Sequence, residues 1–239
     1  YELVDKVDNY LSAYKIGSGD ITWSGIVDYI ASKNKPVLLA TGASNMDEVD
    51  IAMSILLQRT NDIVLMQCNT NYTASLENFK YINLNVLKEY GRKYPDTILG
   101  LSDHTPGHAT VLGAVTLGAR VIEKHFTNDT SREGPDHKFS MDFNSWKEMV
   151  ERTRELEISL GLETKKVEDN EKETVVLQRR SIRAKKDLVI GDIIRENDLE
   201  FLRPCPENGL PPYELENILN KRLVEDVKSG DCVKWKSIK

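Results

Sequence analysis

Two histidines stand where strand-end chemistry would put them: His104 closes the run ILGLSDHT at 98–105, and His125 closes RVIEKHF at 120–126. In folds that alternate strands with helices, residues at strand carboxyl ends converge on one mouth, where two neighbouring imidazoles can hold one divalent ion. The stretch between them, GHATVLGAVTLG at 107–118, is small and apolar, as a helix packed closely on a sheet must be, so the two strands read as adjacent. A lone strand-end histidine is ordinarily a hydrogen-bonded structural residue, but two at equivalent positions favour a shared site. The remaining histidines, His108 and His137, lie close in sequence to this pair.

Other strand ends carry polar residues that a core does not require. Lys15 sits inside an apolar run and is followed by Gly17, Ser18, Gly19 and Asp20. The glycines let backbone approach a ligand and offer amide donors, which makes an anion site; a tight turn with an outward-snorkelling lysine is the alternative. Thr41, Gly42, Ala43 and Ser44 repeat the pattern, with Ser44 also readable as a helix cap. Cys68, Asn69, Thr70, Asn71 and Tyr72 gather amides, a hydroxyl and a phenol, either as turn chemistry or as part of the same mouth. After the last strand, Gly134 and Pro135 form a turn that can direct Asp136 to that mouth.

The elements that must position these residues are five strand–helix units. Apolar runs at 13–17, 36–40, 63–67, 98–101 and 121–123 read as buried parallel strands, and helical patterns fall at 26–32, 46–58, 79–90 and 109–117. A further helix at 143–160 has Asn144 or Asp142 as its cap and Gly161 as its stop. The segment ETKKVEDNEK at 163–172 has linker composition, or is a solvated helix end. Beyond it, short alternating strands at 180–184, 187–194 and 228–235, with turns at Gly191 and Gly230, form a small β domain that folds alone only marginally. The expected division is 1–161, a linker at 162–177, and 178–239.

The 239 residues carry a formal charge of -6 and 40% hydrophobic content, which supports a sizeable core and gives no basic footprint for nucleic acid or an anionic membrane. A small-molecule partner follows. Cys68, Cys205 and Cys232 are odd in number and widely spaced, so a reducing, cytoplasmic setting is expected rather than a disulfide framework. No apolar run reaches membrane-span length, and the start, YELVDKVDNY, reads as mid-helix rather than a signal sequence, which places the expected amino terminus upstream.

The segments AYKIGSGD, KPVLLATGAS, CNTNY, GLSDHTPG, VIEKHFT and GPDHKFSM occur in the order and spacing of the sialic acid synthases and related nonulosonate synthases. RRSIRAKKDLVIGDIIRENDLEFLRP likewise resembles the antifreeze-like domain that ends those enzymes. The resemblance covers essentially the whole chain. It implies an α/β fold, a (β/α)8 TIM-type barrel with about strands four to eight present here, followed by a small, mostly β antifreeze-like (β-clip) domain. About three strands, with an early glutamate and further phosphoenolpyruvate contacts, are expected outside this sequence, so the segment alone is expected to be inactive.

The resemblance implies a metal-dependent, carbon–carbon bond-forming transferase. It would condense phosphoenolpyruvate with an N-acetylated hexosamine, N-acetylmannosamine or a related sugar, and release phosphate and a nine-carbon 2-keto acid such as sialic or legionaminic acid. His104 and His125 match ligands of a manganese or magnesium ion. Lys15, Ser18 and Ser102 match residues that hold phosphoenolpyruvate; Asp20, Thr70, Tyr72 and Asp136 match substrate-facing positions. His104, His125, Lys15 and Asp20 are thereby the expected catalytic residues. Arg203 matches an arginine that reaches the sugar in the partner's barrel of a domain-swapped homodimer.

Asp20 stands where many relatives carry glutamate, Ala40 where some carry serine, and Thr130 where arginine commonly follows the aspartate matching Asp129. These departures bear on sugar identity more than on reaction class. Two other readings stand beside this one: a non-catalytic sugar-phosphate or metal-binding remnant, and a metal-dependent hydrolase on the same architecture. The hydrolase leaves KIGSGD and the small domain unexplained.

Overall fold

The computed structural model describes residues 1–239, which divide into two compact units, Tyr1–Gly161 and Leu162–Lys239. In the first, α1 (Glu2–Asp8) precedes β1 (Tyr14–Ile16), α2 (Ser24–Ala31), β2 (Val37–Ala40), α3 (Met46–Leu57), β3 (Ile63–Cys68), α4 (Val86–Lys93), β4 (Ile98–Asp103), α5 (Ala109–Thr116), β5 (Val121–Lys124) and α6 (Phe143–Leu160). The strands form one parallel sheet in sequential order. All five predicted strands are present, each within a residue or two of its expected ends.

Strand alternation divides the sheet into two chemically different faces. Tyr14, Ile16, Val37, Leu39, Ile63, Leu65, Leu99 and Leu101 pack with α2 to α4 in one apolar core, where burial of each large aliphatic side chain stabilises by about 1.5–3 kcal/mol. The other face carries Lys15, Ala40, Cys68, Ser102 and Glu123, with Cys68 opposite Ser102 and Ser102 opposite Glu123 in the ladders. Lys15 forms an ion pair with Glu123, although β1 and β5 are the two edges of the sheet. Four flat inter-strand spacings amount to roughly 19 Å, beyond the joint reach of these side chains, so the sheet curls into a half-barrel with this face inside.

Local chemistry sets the helix ends. Asn45 and Glu48 form a capping box at α3, with Asn45 Oδ1 accepting from the Glu48 amide at 3.0 Å and Glu48 accepting from the Asn45 amide at 2.8 Å. Ser44 is therefore not the cap; its hydroxyl donates to the Thr41 carbonyl at 2.6 Å. Asp142, rather than Asn144, caps α6, and Gly161 ends it at φ 55°. The single helix expected at 79–90 is instead a 3-10 segment, Leu76–Tyr81, followed by α4, because Asn83 at φ 50° breaks the helical run between them.

In the second unit, a 3-10 turn at Asp169–Glu171 runs into α7 (Lys172–Gln178), so the later part of the stretch expected as linker is helical. β6 (Ser181–Ala184) pairs antiparallel with β7 (Leu199–Leu202), and α8 (Leu215–Ile218) follows. The stretches 187–194 and 228–235 are not continuous strands. They join the unit through isolated bridges, Leu188 to Val227, Ile193 to Arg222 and Arg183 to Cys232, with Gly191 and Gly230 turning at positive φ. Ile182, Leu188, Ile194, Leu223 and Val233 are central to its separate core. No helix is long and apolar enough to cross a membrane.

Candidate active site

His104 follows β4 and His125 follows β5, and continued alternation places both beyond Ser102 and Glu123 on the inner face. Their ring centroids are 5.0 Å apart. The Asn69 carbonyl lies 2.8 Å from His104 Nδ1, and since a carbonyl only accepts, Nδ1 carries a proton and Nε2 is the nitrogen left for other partners. Burial disfavours the charged form of His104, but hydrogen bonds to Cys68 and to the Asn69 carbonyl outweigh it and hold the ring above the usual imidazole range. His125 Nδ1 lies 3.5 Å from Asp136 Oδ2. Backbone bonds of 2.9 Å from Met141 to the His125 carbonyl and from Thr127 to the Met141 carbonyl fold the intervening loop back, which brings Asp136 to the histidine.

Tyr72 lies over the pair, 4.3 Å from the His104 ring and 6.0 Å from His125, and is more than half exposed. Phe139, which is buried, packs against both histidines at 5.9 and 5.0 Å and lies 6.0 Å from Tyr72, so the four rings form one cluster. Two imidazoles, a phenol and a carboxylate thus share one mouth, as their residue types and strand positions predicted.

The predicted anion-binding residues gather at the carboxyl ends of β1 to β4. Ser18 Oγ accepts from the Gly42 amide at 2.8 Å. A Cβ at Gly42 would sit 2.6 Å from Thr70 Cγ2, 2.8 Å from Ser18 Oγ and 3.1 Å from Cys68 Sγ, so glycine is what allows these side chains to close on one another. Burial raises the Cys68 thiol, but His104, Ser18 and Ser102 together bring it below its ordinary range. Lys15 forms its ion pair with Glu123 on the inner face, with its side chain 31% exposed. Asp20 ends the exposed 3-10 turn Ser18–Asp20 and makes no side-chain hydrogen bond or ion pair that ties it to the histidines.

Arg203 belongs to the second unit. The carbonyl of Pro204, the next residue, accepts from Ser181 at 2.9 Å and from Arg183 at 2.7 Å, which anchors the backbone beside this exposed arginine. Glu123 and Gly42 are absent from the expected binding set. Glu123 was nevertheless detectable as a charge in an apolar strand, two residues before His125 and so on the same face.

Residues 2–165 match the model of the NeuB family. The chain belongs to the NeuB family. Residues 179–239 match the SAF domain, in agreement with the antifreeze-like resemblance of that segment. Among relatives, the N,N'-diacetyllegionaminic acid synthase of Legionella pneumophila is 38% identical over 94% of this chain and 63% of its own length. The pseudaminic acid synthase of Campylobacter jejuni is 36% identical over 93% of this chain and 63% of its own. A crystal structure of the N-acetylneuraminic acid synthetase from Leptospira borgpetersenii, in complex with citrate, superposes with a TM-score of 0.62 at 27% identity, covering 69% of this chain and 56% of that one. This NeuB-family chain spans 63–66% of the length of the first curated relatives it matches.

Proposed function

We propose that the chain carries the catalytic face and the small domain of a synthase that condenses phosphoenolpyruvate with an N-acetylated hexosamine. The observation that carries this reading is the convergence of His104, His125, Tyr72 and Asp136 on the curled inner face that also holds Lys15, Ser18, Thr70 and Ser102. C3 of phosphoenolpyruvate forms a bond to the open-chain aldehyde carbon of the sugar, a water oxygen adds at C2, and the C2 substituent leaves as phosphate. The product is a nine-carbon 2-keto acid. The half-barrel is the carboxyl-terminal part of a (β/α)8 barrel in this reading.

Lys15 neutralises the anionic phosphoenolpyruvate, exchanging its ion pair with Glu123 for one with the substrate, while Ser18, Thr70 and Ser102 offer hydroxyls beside it. Tyr72 and Asp136 orient the sugar above the histidines, and Asp20 extends that contact at the rim. Arg203 reaches the acyl oxygen of the sugar in the partner barrel of a homodimer.

The donor set fits a divalent ion in part. Nε2 of His104 and the nearby ring of His125 would supply two ligands, and no cluster of three or more His, Cys, Asp or Glu side chains forms here. His104 and His125 would hold Mn2+ or Mg2+, which when bound supplies Lewis-acid polarisation of the sugar carbonyl.

The test is product identification. The full-length protein is incubated with phosphoenolpyruvate and a panel of N-acetylated hexosamines, with phosphate release and mass spectrometry as readouts. Stoichiometric phosphate and a nine-carbon 2-keto acid from at least one sugar are expected. Turnover of none, by folded protein with divalent ion present, would overturn the proposal.

A further inference from the structure

Directly behind the two histidines lies a charged pair that the proposed reaction does not use. Asp103 and Lys124 stand opposite each other in the β4–β5 ladder, both side chains are 1% exposed, and Nζ lies 2.7 Å from Oδ2. Lys124 also donates to the Thr105 carbonyl at 2.6 Å. Asp103 accepts from the Thr105 amide at 3.1 Å, from the Thr105 hydroxyl at 2.8 Å and from the Thr110 hydroxyl of α5 at 2.6 Å. These side chains occupy the helix side of the sheet, and the next residue on each strand turns inward as His104 or His125.

A buried ion pair is a poor device for stability, because desolvating two charges offsets most of their attraction and an apolar pair of similar volume does as well. It does discriminate between registers. If β5 slipped by two residues against β4, which keeps each side chain on its own face, an apolar pair would still meet apolar neighbours, whereas Asp103 and Lys124 would each be left charged and unpaired in the core. Here the register sets the separation of the two imidazoles. Thr110 adds α5 to the same knot, so strand, strand and helix are tied within one residue of the site.

We infer that Asp103 and Lys124 are positioning residues that hold His104 and His125 at the separation needed to share one divalent ion. The inference rests on the metal-binding part of the proposed function. It assigns the pair no contact with substrate.

The test uses the full-length protein carrying Asp103→Asn together with Lys124→Met, which removes both charges while keeping volume and an acceptor for the threonines. Expected results are a melting temperature near that of the parent, Mn2+ affinity weakened at least tenfold by electron paramagnetic resonance, and shifted or broadened imidazole carbon signals from metal-free protein. A folded double variant whose Mn2+ affinity stays within twofold of the parent would overturn the inference. Leu56→Ala, a core truncation on α3, should lower the melting temperature without changing Mn2+ affinity, which separates positioning from general destabilisation. If the double variant does not fold, Thr110→Val removes one donor to Asp103 at similar volume, and must weaken Mn2+ binding severalfold or the inference fails. His104→Ala distinguishes the two levels. Undiminished Mn2+ affinity in that variant refutes the metal reading, and the imidazole signals of the metal-free double variant then decide positioning alone, shifted signals upholding it and unchanged ones overturning it.

Discussion

Gly42 and Lys15 illustrate how much of this site depends on single atoms. A methyl group at Gly42 would press on Thr70, Ser18 and Cys68, and its backbone lies outside the left-handed region, so Gly42→Ala should fold yet close the space beside the anion-binding hydroxyls. The expected outcome is at least a tenfold rise in KM for phosphoenolpyruvate with an unchanged circular dichroism spectrum; an unchanged KM would show that substrate does not enter there. Lys15→Ala should weaken phosphoenolpyruvate binding by about 2–5 kcal/mol if the ion pair with substrate is desolvated. Glu123→Gln should act in the opposite sense and lower that KM, because it removes the carboxylate that competes for Lys15. Steady-state kinetics on both variants checks the pair. His104, His125 and Tyr72 were readable from the chain because polar types at strand ends are unusual; Gly42 was not read as decisive, because a missing side chain matters only once its neighbours are known.

The elements were readable to the degree that their signals were local. Runs such as IVLMQC gave β3 its full burial and its parallel neighbours, whereas the break at Asn83 depends on one positive φ that composition does not announce. The bridges of the small unit escaped for a related reason: alternation at 187–194 is real, but partners far along the chain meet it at single positions only. At α3, Asn45→Ala removes the capping acceptor and should cost about 1 kcal/mol in thermal or denaturant unfolding. Asp50 on the same helix accepts from Lys93 and Tyr94, and these bonds, opposed by burial, hold its carboxyl below the usual range. A depressed carboxylate contributes stability that is present above its unfolded pKa of about 3.9 and is lost as pH falls through its lower folded value. Melting temperature should therefore fall on acidification through that window, and fall less steeply in Asp50→Asn.

At the scale of the whole molecule, the proposed reaction can be tested for a contribution from the second unit. The SAF segment has its own core and presents Arg203 beside a backbone that Ser181 and Arg183 anchor. If Arg203 serves the barrel of a partner, full-length Arg203→Ala and His104→Ala proteins, each inactive alone, should regain a substantial fraction of activity when mixed. One site of the heterodimer then carries both defects and the other none. No recovery after confirmed subunit exchange would show that each arginine serves its own barrel or none. The family and both parts of the chain were legible because long motifs surround the strand ends, while the register tie at Asp103 and Lys124 was not, since an acid and a base on separate strands reveal a pair only when the ladder is known.

The measurement that bears most directly on the central claim is sugar-dependent phosphate release from phosphoenolpyruvate by the full-length protein, before and after chelation, alongside His104→Ala and His125→Ala. The expected result is release that a chelator abolishes and Mn2+ or Mg2+ restores in the parent, with nearly complete loss in both folded variants at any ion concentration. Release at the parental rate in both variants, with unchanged ion affinity, would contradict the assignment of this histidine pair as the centre of the site.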